Sequence, residues 1–76
     1  MVTILGSALK PGFQEEDILH ALNMYVIDYA ENEDPRKVVR IGYDSNMRLL
    51  EVGFMEEDGY ITVFHAMKAR RRYLQW

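Results

Sequence analysis

His65 is followed at short range by Lys68, Arg70, Arg71, Arg72 and Tyr73, the densest run of chemically capable side chains in this 76-residue chain. An imidazole exchanges a proton near neutral pH, which is the work of a general acid or base. Arginine's planar fork suits a phosphate, and lysine supplies a point charge. If residues 68–73 are helical, Lys68 shares a face with Arg71 or Arg72. If they are extended, it shares one with Arg70 and Arg72. Tyr73 and Trp76 add rings on which a base can stack. Each feature also has a plainer reading. His65 can be an ordinary strand histidine, the basic run a solvated tail, and the terminal aromatics the means of packing that tail onto a sheet.

Two further charged residues belong with this group. Placing Tyr43 opposite Arg48 across a tight turn sets Arg40 opposite Glu51, and the pair reads first as a surface cross-strand salt bridge of little energetic weight. The sharper alternative puts the Glu51 carboxylate beside His65 at the centre of an open face. No metal site is expected, since there is no cysteine and His20 and His65 stand alone. His20, between Leu19 and Ala21, receives no role. The glycines are too scattered to cradle a phosphate. Neither Ser7 nor Ser45 sits in a nucleophile elbow.

The elements that must hold these residues follow from periodicity. Met1 to Pro11 is a short lead with some β character, and Pro11-Gly12 breaks it. Glu15, Glu16 and Asp17 place acids in a first helical turn, where the macrodipole favours them. Ile18, Leu19, Leu22 and Tyr25 or Val26 then recur at helical spacing, which predicts a helix from Phe13 to Met24 with a poor N-cap. Tyr25 to Tyr29 reads as a short strand and Glu31 to Pro35 as an acidic loop. Lys37–Tyr43, Arg48–Met55 and Tyr60–Met67 read as strands, joined by a turn at residues 44–46 and one at residues 56–59 that ends in Asp-Gly. Lys68 to Gln75 is either a short helix or an irregular tail. The expectation is a single α+β domain over residues 1–76. It has a small antiparallel sheet, a three- to four-stranded meander, with one N-terminal helix covering the dry face of Leu50, Val52 and Phe54.

Composition narrows the role. The formal charge of −3 is uneven: residues 68–76 carry +4, whereas residues 1–67 carry five basic and twelve acidic residues. An acidic body with a basic end is no generic nucleic-acid binder, but that end can hold one phosphate or dock an acidic partner. The apolar share of 49% suits a folded domain. No apolar run approaches the roughly 18 residues that span a bilayer. The first residues lack the basic start of a signal peptide, so a cytoplasmic location without membrane contact is expected.

Taken together, Glu15-Glu16-Asp17-Ile18, the acidic loop, Val39-Arg40-Ile41-Gly42, Leu49-Leu50-Glu51-Val52 and Phe64-His65-Ala66-Met67-Lys68-Ala69-Arg70-Arg71-Arg72-Tyr73 resemble the BrnT-type toxins of bacterial type II toxin–antitoxin systems. Those toxins fall in the wider RelE/ParE-like group of ribonucleases. The resemblance covers Gln14 to Tyr73. It implies a metal-independent endoribonuclease without cofactor, whose substrate is RNA and whose partner is a cognate antitoxin. DNA contact would be indirect, through that antitoxin. It also implies RNA contacts from Lys68, Arg70, Arg71 and Arg72. The candidate catalytic set is then His65 or Glu51 as base, Arg40 and Arg70 on the phosphate, and Lys68 or Tyr73 as acid. The competing reading is a non-enzymatic module whose basic end docks an acidic protein or an RNA backbone. An exposed sheet edge further leaves pairing with a second copy, a homodimer, open.

Overall fold

The computed structural model describes residues 1–9 and 12–75. The chain runs β1 (Val2–Ile4), a 3-10 turn (Gly6–Ala8), α1 (Glu15–Asn23), β2 (Tyr25–Glu33), β3 (Arg36–Tyr43), β4 (Leu49–Glu57), β5 (Tyr60–Lys68) and a second 3-10 turn (Arg71–Tyr73). The sheet has five strands in the order β1-β5-β4-β3-β2. Strands β2 to β5 form the antiparallel meander. β1 adds to β5 in parallel, so the sheet is mixed and larger than the three or four antiparallel strands expected. Three residues carry too little periodicity to announce a strand, and their partner lies at the far end of the chain. Among the described residues no helix is long and apolar enough to cross a membrane. The Pro11 and Trp76 readings lie outside the described residues.

Helix α1 starts at Glu15, two residues later than its spacing predicts. Gln14 gives no side-chain cap. Instead its backbone N–H donates to the Asp17 carboxylate at 2.9 Å, so the third helical residue satisfies an orphan donor. Ile18, Ala21 and Leu22 face the sheet and pack with Val38, Leu50, Val52, Phe54, Val63 and Ala66 in the main core. Gly42 lets the helix approach β3 this closely, because a Cβ there would coincide with the Ala21 carbonyl. His20 Nδ1–H donates to the Tyr43 carbonyl at 2.6 Å, tying the helix to the same strand.

The turns set the register. Asp58-Gly59 closes the β4–β5 hairpin with both φ values positive (51° and 82°), the mirror-image turn that an Asp-Gly pair favours. β4 therefore runs on to Glu57, and residues 56 and 57 are strand rather than turn. β2 likewise continues through Glu31–Glu33, which were expected in the loop, and only Asp34-Pro35 turns. Between β3 and β4 the connection is longer than expected. The fully buried Asp44 accepts N–H bonds from Asn46 (2.9 Å) and Arg48 (2.8 Å), and the Arg48 Nε–H at 2.6 Å. Arg48 thus belongs to the loop, and Tyr43 pairs with Leu49. That single residue corrects the expected Arg40–Glu51 pair, because a one-place slip sends a side chain to the other face. Glu51 lies opposite Ile41, and Arg40 opposite Val52 on the helix side. There Arg40 forms a two-pronged pair with Asp28 (2.7 and 2.9 Å) and donates to the Leu22 carbonyl at 2.9 Å.

The second face of the sheet is covered by the chain's own C-terminal segment. Ala69 and Tyr73 pack on Val39 and Ile41, with Ile27, Tyr29 and Leu49 around them. The Tyr29 hydroxyl donates to the Tyr73 carbonyl at 3.1 Å, and the two rings sit 5.2 Å apart. Residues 69–74 therefore form a strap ending in a 3-10 turn, neither a free tail nor an α-helix.

Candidate functional site

Beside that strap the second face opens into a cleft of about 680 Å³. Its floor is Val39, Glu51 and Gly53; its walls are Phe64, His65, Arg70 and Tyr73 on one side and Glu31, Asn32 and Lys37 on the other. Glu51 is the organising group. It is fully buried on β4, yet it carries a carboxylate, so its oxygens must be satisfied by donors. Oε1 accepts the Arg70 backbone N–H at 2.8 Å and the Arg70 Nε–H at 3.0 Å. Oε2 accepts Arg70 Nη2–H at 2.8 Å and His65 Nε2–H at 2.9 Å. Burial pushes the Glu51 carboxyl upward, but the hydrogen bonds from Arg70 and His65 outweigh it and hold it below the usual carboxylate range. The same contact raises the Arg70 guanidinium above its ordinary value.

An ionised carboxylate only accepts, so the hydrogen on His65 Nε2 is fixed there. In the neutral ring Nδ1 then holds the lone pair, and it meets no protein partner among the described residues. His65 is therefore aimed and tautomer-selected by the carboxylate beneath it, the arrangement by which a base is oriented for proton transfer. Arg70 is locked by its Nε and Nη2 edge on Glu51, and its guanidinium lies 5.6 Å from the Tyr73 ring centroid, which leaves Nη1 outside the bonds to the carboxylate. Its side chain is 47% exposed, so a charge fixed in position meets solvent at the cleft mouth. The Tyr73 hydroxyl reaches Glu31 at 3.5 Å across the opening.

Of the expected catalytic set, the fold brings His65, Glu51, Arg70 and Tyr73 together around one cleft. Glu51 occupies it as the residue that orients the others; with its oxygens filled it is not the free base of the alternative reading. Two expected members are not there. Arg40 is spent on Asp28 and the end of α1. Lys68 pairs with Leu50, which places it on the helix side of the sheet, away from the cleft. Arg71 and Arg72 are exposed on the strap next to the cleft, with the Arg72 guanidinium 4.8 Å from the Tyr73 ring centroid.

Lys37, Asn32, Phe64 and Gly53 were not read as site residues. Lys37 was detectable in principle, since it alternates with Val39 and Ile41 on the strap face. Phe64 was not, because its placement depends on a shift of the β4–β5 register between Gly53 and Phe54. Among the described residues no cluster of three or more His, Cys, Asp or Glu side chains could hold a metal ion. No protein-family model, curated protein or solved structure matches the chain.

Proposed function

We propose that the protein is a metal-independent endoribonuclease, the toxin member of a bacterial toxin–antitoxin pair that a cognate antitoxin silences. The observation that carries the reading is the buried Glu51 carboxylate holding both His65 and Arg70 at the mouth of one cleft. The resemblance to BrnT-type toxins points the same way.

In this reading a phosphodiester of RNA sits against the free edge of Arg70, whose charge offsets that developing on the phosphorus oxygens. His65 Nδ1 takes the proton of the ribose 2′-hydroxyl. The 2′-oxygen bonds to phosphorus, the P–O5′ bond breaks, and the Tyr73 hydroxyl gives its proton to the leaving 5′-oxygen. A proton passes from His65 through solvent back to Tyr73, which closes the cycle. The products are a 2′,3′-cyclic phosphate and a 5′-hydroxyl end. Arg71, Arg72 and Lys37 hold the flanking backbone.

The test is incubation of the purified chain with RNA in the presence of a chelator, followed by analysis of fragment ends. Cyclic phosphate and 5′-hydroxyl termini are expected. Cleavage that persists undiminished in both His65→Ala and Arg70→Ala would sink the assignment.

A further inference from the structure

Between Gly53 and Phe54 the β4–β5 register slips, so that Gly53 faces His65, Phe54 faces Val63, and Phe64 faces nothing. The consequence is visible in the core. Val63 and Ala66 are three residues apart, an odd spacing, yet both are buried on the helix side. Strict alternation forbids that, and the extra residue absorbs the difference. Phe64 and His65, adjacent in sequence, therefore both line the same cleft.

Gly53 completes the arrangement. A Cβ at that position would lie 3.2 Å from the His65 Cβ and 3.3 Å from two atoms of the Phe64 ring. Its absence lets the ring settle low over the sheet. The ring is only half-buried, although burying an aromatic is what a core position would achieve. The Lys37 ammonium stands over the ring, 5.8 Å from its centroid, a cation–π contact that a stacked base would displace. Asn32 is on the same wall, its Nδ2 engaged by the Pro35 carbonyl and its Oδ1 left as an acceptor.

We propose that Phe64 is a nucleobase-stacking residue that holds one base of a single-stranded RNA next to the His65–Arg70 pair, with Lys37 taking the adjacent phosphate. The assignment rests on the ribonuclease reading and adds to it the demand for an unpaired base. Aromatic stacking tolerates any base, because every base has a π-face. A strand is preferred over a duplex, whose bases are already stacked on one another.

The experiment measures binding of a non-cleavable 2′-O-methyl hexanucleotide by fluorescence anisotropy, against the same backbone carrying abasic positions. The wild-type chain is expected to bind the base-bearing strand roughly 5- to 150-fold more tightly. Phe64→Leu, checked for folding by its thermal transition, removes most of that difference, and Phe64→Trp keeps it. Equal affinity for the two strands on the wild-type chain overturns the stacking site while leaving the phosphate-binding pair intact, and it requires no variant to fold. Failure to bind either strand, or equally tight binding of a poly-glutamate peptide, overturns both this site and the ribonuclease reading.

Discussion

Replacing Glu51 by glutamine keeps the volume and removes the charge, so it isolates what the buried carboxylate contributes. Glutamine retains one accepting oxygen and turns the other into an amide that faces donors. If the oxygen stays with the Arg70 backbone, the His65 Nε2 and Arg70 Nη2 bonds are lost. Hydrogen bonds to a buried charged group contribute about 1.5–3 kcal/mol each. The one from His65 counts fully. The one from half-exposed Arg70 counts for less, because water screens it. Relief from holding a charge out of water offsets part of the total. The net destabilisation expected for Glu51→Gln is about 2 kcal/mol, or a fall in Tm of about 8–16 °C for a domain of this size.

The loss depends on pH with a definite sign. The folded Glu51 carboxyl lies below its ordinary value, so the unfolded chain binds a proton there first. Its contribution to stability is complete above the usual carboxylate range and disappears as pH falls through the depressed folded value. Glutamine binds no proton, so the gap in Tm between the two proteins is widest at pH 7 and closes on acidification. Asp44, held below its ordinary value despite burial by its bonds from Arg48 and Asn46, weakens both proteins alike and cancels in the difference. Thermal unfolding followed by circular dichroism from pH 7 downward reads this directly. A Tm within about 2 °C of wild type at pH 7, or a gap that does not narrow with acid, would refute the reasoning.

Three further outcomes follow from the same contacts. Gly53→Ala pushes its Cβ against His65 and Phe64 by a few tenths of an ångström while relieving strand entropy, so Tm should stay within a few degrees as RNA cleavage falls about tenfold. Gly42→Ala drives a methyl into the Ala21 carbonyl, which is backbone and yields only if α1 moves; denaturant titration should show a loss of about 1–3 kcal/mol. Arg71→Ala and Arg72→Ala should each flatten the plot of log binding constant against log salt by about 0.7 for a single-stranded RNA, measured by anisotropy.

What was legible beforehand followed locality. The helix announces itself through Ile18, Leu19 and Leu22, and the last hairpin through Asp58-Gly59, because both signals lie within a few residues. The dry face of Leu50, Val52 and Phe54 and the helix that covers it follow from the same alternation. The site was half legible. His65 and the basic run stand out by type, and the sharper of the two readings of Glu51 sets it beside His65, where it is found; its contact with Arg70, across 19 residues of chain, had no local signal. The loop held by Asp44 decides which residue of β3 shares a face with Glu51, and one uncounted residue there took Arg40 to the helix side and set Ile41 opposite Glu51. Phe64 was hidden for a related reason. A bulge alters alternation without any composition of its own, and Gly53, which accommodates it, looks like any glycine in a strand. The β character of the first residues was legible, but the pairing of β1 was not, because its partner is the last strand.

The most direct test of the account is single-turnover cleavage of an oligonucleotide with one ribose 2′-hydroxyl in an otherwise 2′-O-methyl strand, in chelator, by wild-type and His65→Ala chains of matched folded fraction. The account predicts one cut, at that ribose, slowed about 10²- to 10⁴-fold in the variant. Equal rates, or no cleavage by the folded wild-type chain, would contradict it.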